Sequence, residues 1–196
     1  MCGYFGCNIN AEFSFSCSSK GGTLDVTAHE ILTNGNIKEI FQVTGGPFGG
    51  TKVDEEFVSL LKQFFGTTVV EAFSTRYPGE WLDMMNDFEM KKRGRRAFEG
   101  GTTRLRLPRS LTALISEYRG PASSIEGVQF LRNEYLCLEA PAMKKLFKPV
   151  LDGIVKHLTN LMENRCLKDL QFFFLVGGFA QSALLQDAIR KQFSSR

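Results

Sequence analysis

The stretch Leu170-Gln-Phe-Phe-Phe-Leu-Val-Gly-Gly-Phe-Ala-Gln-Ser182 decides how this chain is read. Its first seven residues are apolar and rich in strand formers, and a doubled glycine stops them at Gly177-Gly178. The residues from about Ser182 to Phe193 then read as a helix. Strand, tight turn and helix start form a geometry that accepts an anion, or lets a flat ring lie on bare backbone. The same residues also make an ordinary strand-to-helix connection, and this stretch alone leaves both readings open.

Doubled glycines recur along the chain. Ten of the 19 glycines form pairs at 21-22, 45-46, 49-50, 100-101 and 177-178. A glycine pair marks a sharp turn or a place where backbone must come close to something.

Working toward the N-terminus, a long helix is expected at about 140–163, with Met143, Leu146, Phe147, Val150, Leu151, Ile154 and Leu158 on one face. Pro149 falls inside it and should kink or split it. Residues 102–136 read as strands and loops: Thr103 to Leu107, Gly127 to Leu131, then Tyr135 to Leu138. Three helices precede them. The first carries Val53, Phe57, Leu60, Leu61 and Phe64 and is capped by Gly66. The second covers Thr68 to Arg76, and the third about Glu80 to Phe98. Residues 13–43 read as a β-meander with the hairpin signal Asn34-Gly35, and 44–50 as a glycine loop. The order is that of an α/β architecture with a helical and β insertion at about 50–138.

Composition narrows the class. The chain has 196 residues, 43% hydrophobic and 23% charged, which excludes a disordered tail and a disulfide miniprotein. The formal charge is +3, and Lys91, Lys92, Arg93, Arg95 and Arg96 account for it. The basicity is one local cluster, so a nucleic-acid-binding field is not indicated. Five cysteines without a CxxC pair, and two distant histidines, argue against a zinc site and for reduced thiols. The first 20 residues show no secretory signal, and no apolar run is long enough to span a bilayer.

Three further constellations can carry chemistry. Gly21-Gly22-Thr23-Leu24-Asp25 lies between two expected strands. Its backbone N–H groups can hold phosphate oxygens, Thr23 can add a hydroxyl, and Asp25 can reach a metal's water shell. A plain hairpin turn is the alternative. Glu89, Lys92 and Arg93 share one helix face, which can offer a carboxylate to a sugar and a guanidinium to a purine. A solvated salt bridge is the alternative there. Gly45-Gly46-Pro47-Phe48-Gly49-Gly50 can line a phosphate or act as a hinge. No Ser-His-Asp set, nucleophile elbow or Walker A loop occurs.

Taken in order, four segments resemble the nucleotide-binding domain of the seventy-kilodalton heat-shock chaperones, of the actin and sugar-kinase superfamily. The likeness is greatest to the divergent animal subgroup of these heat shock proteins that carries the number 12. The segments are Gly-Gly-Thr-Leu-Asp-Val-Thr-Ala-His at 21–29, Val-Thr-Gly-Gly-Pro-Phe-Gly-Gly-Thr-Lys-Val-Asp at 43–54, Glu-Met-Lys-Lys-Arg at 89–93 and Phe-Leu-Val-Gly-Gly-Phe-Ala-Gln-Ser at 174–182. The resemblance covers about 17–196 and implies one lobe, the second, of an actin-like ATPase (ribonuclease H-like) fold. It implies an inner subdomain at 17–48 and 139–196, an outer subdomain at 49–138, and a divergent segment at 1–16.

The resemblance also implies roles. Gly21, Gly22 and Thr23 match a phosphate loop, with Thr23 at the γ-phosphate as the catalytic hydroxyl and Asp25 at the metal. Gly49 and Gly50 match glycines at the phosphates. Glu89, Lys92 and Arg93 match the helix that contacts adenosine, and Gly177 and Gly178 the adenosine motif. The implied ligands are ATP or ADP with Mg2+. Protein clients or cochaperones are the implied partners, without nucleic acid or membrane, in the cytoplasm. The chain departs from the family at Ser18, where the family's loop carries Asp, at Lys20, where it carries Gly, and at Phe179, where it usually carries Ser. The family's first lobe and substrate-binding domain have no counterpart in these 196 residues. Nucleotide binding without appreciable hydrolysis is therefore expected, or a non-enzymatic interaction module that keeps the lobe's fold and exposes some of its 18 phenylalanines.

Overall fold

The structure is a computed structural model that describes residues 11–17, 22–31, 34–94, 98–118, 123–163 and 172–193. It is a mixed α/β arrangement with two sheets. The chain divides into two compact units, residues 1–50 with 150–196, and residues 51–149.

The first unit is built on a four-stranded sheet of order β3-β2-β1-β7. Strands β1 (Ala11–Cys17), β2 (Leu24–Ile31) and β3 (Ile37–Gly46) form the antiparallel meander, and β7 (Phe172–Gly177) pairs parallel with β1. Strand β2 shows why it is a strand: Leu24, Val26 and Ala28 are fully buried while Thr23 and Asp25 are exposed, the period-two pattern of a sheet with one covered face. Residues 11–16, the end of the 1–16 segment expected to be divergent, all lie in β1. The meander is longer than expected, because Gly45 and Gly46 end β3 and do not belong to the loop after it.

In this unit Val150, Ile154, Leu158 and Met162 recur every four residues on α5 (Ala140–Met162) and are buried. Helix α6 (Ala183–Phe193) buries Leu185, Ile189 and Phe193 in the same way. Each such side chain contributes about 1.5–3 kcal/mol when taken out of water.

The second unit holds α1 (Gly50–Phe65), whose first residue belongs to unit one, α2 (Thr67–Arg76) and α3 (Pro78–Lys92). It also holds the antiparallel sheet β4-β6-β5, helix α4 (Arg109–Glu117) and the first part of α5. The strands are β4 (Thr102–Arg106), β5 (Val128–Leu131) and β6 (Tyr135–Glu139). Val53, Phe57, Leu61, Phe64 and Phe65 of α1 are buried, and the Phe57 ring stacks on Phe88 of α3 at 3.8 Å between centroids. Gly66, at φ 98°, separates α1 from α2 as the expected glycine cap.

Two differences from the expected elements have local causes. Helix α3 ends at Lys92, short of Phe98. Gly94 follows closely, and its N–H bonds back to the Lys91 carbonyl in a tightened last turn. Helix α4 stands where loop and strand were expected. It starts after Pro108, and buries Leu111, Leu114 and Ile115 at helical spacing.

Helix α5 continues through Pro149 without a break, and the two units meet in the chain at that residue. Among the described residues, no helix is long and apolar enough to cross a membrane. No phenylalanine among the described side chains is exposed. Among the described side chains, the exposed large apolar residues are Tyr77, Leu82, Met90, Tyr118, Leu131 and Val176.

Candidate functional site

Strand register brings three of the four sequence motifs to one end of the first unit's sheet. Cys17 at the end of β1 pairs with Gly177 at the end of β7, and the two strands are parallel. Ser16 pairs with Asp25, and Leu24 at the start of β2 pairs with Gly46 at the end of β3. The connection through Gly22-Thr23, the turn at Gly177-Gly178 and the loop 47–49 therefore all leave the sheet at the same end. In open α/β sheets, the carboxyl ends of parallel strands are where ligands bind. Gly21, with Ser18 and Lys20, lies outside the described residues. Gly22 is half-buried, while Thr23 and Asp25 are exposed.

The glycines of the 45–50 stretch are accounted for by close packing. Register shifts opposite Asp25, and a Cβ on Gly45 would overlap the Leu24 carbonyl oxygen and stand 2.9 Å from Asp25 Oδ1. This is a bulge that only glycine fits. A Cβ on Gly46 would overlap the Phe48 ring, and one on Gly153 of α5 would stand 2.5 Å from it. Phe48 thus fills a slot walled by two glycines, with His157 one turn further along α5 at 6.1 Å between ring centroids. Gly49 is buried and Gly50 opens α1, whose first turn carries no acidic residue. That leaves the positive end of the helix dipole unopposed by its own side chains.

At the other glycine pair the two residues differ. Gly177 has φ 98°, a conformation that side chains rarely adopt. Gly178 has ordinary helical angles, φ −62° and ψ −42°, and a Cβ placed on it would meet no atom of the described residues within 4 Å. Neither its backbone nor a described neighbour requires glycine there. A short 3-10 turn, Phe179–Gln181, follows, and the Gln186 side chain donates to its Ala180 carbonyl at 2.9 Å.

The remaining motif belongs to the second unit. At the end of α3, Glu89 accepts from Arg93 through both Nε, at 2.8 Å, and a terminal nitrogen. Its other carboxylate oxygen pairs with Lys92. The shared helix face was legible in the sequence. What spacing could not show is the third partner: Lys92 Nζ donates at 2.6 Å to Asp54 of α1, 38 residues earlier. The Lys92 side chain is only 4% exposed, against 56% for Arg93. Burial pushes the Asp54 carboxyl above its ordinary range, against the pull of Lys92. Burial acts on Glu89 in the same sense, but the hydrogen bonds from Lys92 and Arg93 outweigh it and hold Glu89 below its ordinary range.

For a divalent metal, the described residues contain no group of three or more His, Cys, Asp or Glu placed to hold an ion. Asp25 alone suits the mode in which Mg2+ keeps its waters and binds through one carboxylate and a ligand's phosphates. The second unit also has an open cleft of about 800 Å³, lined among others by Asp83, Asp87, Arg106, Arg109 and Glu134. None of the residues singled out in the sequence lines it.

No protein-family model matches the chain. The chain is similar to heat shock 70 kDa protein 12A of Homo sapiens and of Mus musculus. It is 36% identical to each over 186 residues, 91% of this chain and 28% of each relative. It is also similar to heat shock 70 kDa protein 12B of Homo sapiens, 33% identical over 184 residues, 90% of this chain and 27% of the relative. The chain thus spans little more than a quarter of the length of the curated relatives it matches. Over nine-tenths of its own length it is homologous to them, which supports a domain like that of the seventy-kilodalton heat-shock proteins.

Proposed function

We propose, from this homology and from the loops gathered at one sheet end, that the chain is an ATP-binding lobe with an actin-like fold. The parent activity is that of a chaperone ATPase like the seventy-kilodalton heat-shock proteins. The two compact units support a division into an inner subdomain carrying the larger sheet and an inserted outer subdomain. The reading takes ATP or ADP with Mg2+ as ligand, protein clients or cochaperones as partners, and the cytoplasm as location.

The observation that carries the reading is Gly178. It lacks a side chain where no described residue needs that space, beside a Gly177 whose backbone does require glycine. A ligand lying on the backbone supplies the missing reason. In this reading Gly177 and Gly178 receive adenosine, and Gly21, Gly22, Gly49 and Gly50 offer backbone N–H groups to phosphates. The Thr23 hydroxyl acts at the γ-phosphate, and Asp25 holds a water of the Mg2+. When bound, Mg2+ supplies charge neutralisation at the phosphates. Within the second unit, taken by itself, Glu89 and Arg93 are the groups suited to a nucleoside, with a carboxylate for a sugar hydroxyl and a guanidinium plane for a base.

Phosphoryl transfer also needs a group that orients the attacking water and positive charge on the transferring phosphoryl. The Thr23 hydroxyl can orient that water, but it and the glycines bring no positive charge, and Ser18 stands where the family's loop carries Asp. The 196-residue chain is therefore expected to bind nucleotide and not to turn it over. Titration calorimetry with ATP and Mg2+, followed by a phosphate-release assay, tests both parts. Saturable heat with no release above buffer is the expected result. Multiple turnovers would sink the second part, and the absence of any nucleotide-dependent heat would sink the first.

A protein-interaction module is the second reading, and one observation favours it. Leu82 and Met90 stand 59% and 73% exposed, two turns apart on α3. Self-association or partner capture that is lost on Leu82→Asp, and is indifferent to nucleotide, would decide for it.

A further inference from the structure

Asp54 closes the 43–54 segment without a role of its own toward a ligand, yet it anchors residues that have one. Asp54 of α1 and three charged groups at the end of α3 form a single run of contacts: Asp54 to Lys92, Lys92 to Glu89, Glu89 to Arg93. Asp54 is 26% exposed, Lys92 4%, Glu89 34% and Arg93 56%. The run passes through a buried ammonium and ends at the surface of the unit. We propose that Asp54 is a positioning residue for nucleoside recognition, acting through the buried Lys92 ammonium to hold Glu89 and Arg93 in the arrangement a nucleoside meets. The inference rests on the nucleotide reading above.

The physical case begins with Lys92. An ammonium this buried is tolerated only when paired, and it has carboxylates on two sides. Glu89 serves both neighbours at once: Oε2 faces Lys92 and Oε1 takes both donors from Arg93. A carboxylate held at both oxygens has no free rotation left, and the guanidinium it grips twice is fixed in plane. Removing the Asp54 charge leaves Lys92 to draw on Glu89 more strongly. Glu89 then turns inward and its grip on Arg93 loosens. The Phe57–Phe88 stack lies one turn from Asp54 on α1 and one turn from Lys92 on α3. The distance across which Asp54 reaches Lys92 is therefore set by packing, and it survives loss of the charge.

The test is a double-mutant cycle on the full 196-residue chain, read by calorimetry with two probes, Mg-ADP and Mg-tripolyphosphate. Asp54→Asn is expected to weaken ADP about five- to tenfold and to leave tripolyphosphate within about twofold. In an Arg93→Ala background the same substitution is expected to change ADP affinity by less than about twofold, because the group being positioned is gone. Equal loss for both probes, an unchanged ADP affinity, or the same fold-loss in both backgrounds overturns the proposal. If Asp54→Asn does not fold, Asp54→Glu keeps the charge and displaces it by one methylene, and the same selective loss of ADP is expected. A parent chain that binds neither probe overturns the nucleotide reading and this inference with it. A parent chain that binds both probes, with variants that behave alike, overturns this inference alone.

Discussion

Gly177 and Gly178 are neighbours with opposite reasons for being glycine, and substitution separates them. At Gly177 the backbone sits at φ 98°, so Gly177→Ala is expected to cost about 1–2 kcal/mol whatever the ligand does. Gly178 sits at φ −62° with open space beside it, so Gly178→Ala has no strain to impose. By restricting the unfolded chain it should stabilise the protein by about 0.4–1 kcal/mol. If adenosine lies on this backbone, the same methyl group blocks it. Gly178→Ala should then lose roughly tenfold or more in ADP affinity while melting no lower than the parent. Urea unfolding alongside calorimetry reads both quantities, and a variant that binds ADP as the parent does would remove the main support for a ligand at this turn. The pair itself was legible in the sequence as strand, doubled glycine and helix. Which glycine answers to the backbone and which to open space was not, because that depends on dihedral angles and on atoms far away in the chain.

The loop at 47–49 owes its position to an aromatic ring held between glycines on two elements, the end of β3 and the middle of α5. Glycine inside a helix ordinarily costs about 1 kcal/mol relative to alanine, so Gly153→Ala in α5 would be expected to stabilise. Here the new Cβ would stand 2.5 Å from the Phe48 ring, and overpacking of that kind costs about 1–3 kcal/mol. Gly153→Ala alone should therefore destabilise, whereas in a Phe48→Ala background it should stabilise. Denaturant midpoints of the four proteins of this cycle decide the matter, and a stabilising Gly153→Ala in the parent would show that Phe48 does not occupy the slot. The sequence displayed both ingredients without their relation: 45–50 read as a glycine loop, and Gly153 gave no signal inside the expected helix at 140–163. Elements with strong periodicity were legible, as with α1, β2 and the second half of α5. Helix α4 was not, although Leu111, Leu114 and Ile115 carried its signal, because nine residues after a proline give too few turns to stand out.

The two units are unequal in how the chain builds them. Residues 51–149 are one unbroken stretch, whereas the other unit is assembled from two stretches on either side of it, with β7 joining β1 from beyond the insertion. Pro149 drew attention in the sequence as a helix breaker. In the structure α5 continues, and the proline marks the residue at which the chain passes from one unit to the other. Proline lacks an N–H to donate and is preset for a helix's first position, so Val150–Met162 can remain helical with Pro149 as its start. The consequence is an asymmetry in stability. If unit two unfolds, unit one must close a flexible loop of about a hundred residues, at roughly 4 kcal/mol, a large share of a domain's total stability. If unit one unfolds, unit two merely acquires two flexible tails. Phe57→Ala, which empties the stack against Phe88 and costs about 3–5 kcal/mol, should therefore raise hydrogen exchange in both units, including the strands β2 and β3. Leu185→Ala on α6, at about 2–5 kcal/mol, should raise exchange in residues 11–46 and 150–193 while α1 to α4 keep their protection. Exchange read peptide by peptide by mass spectrometry distinguishes the two patterns. Protection of β2 and β3 that is untouched by Phe57→Ala would mean that the first unit closes on its own without the insertion folded.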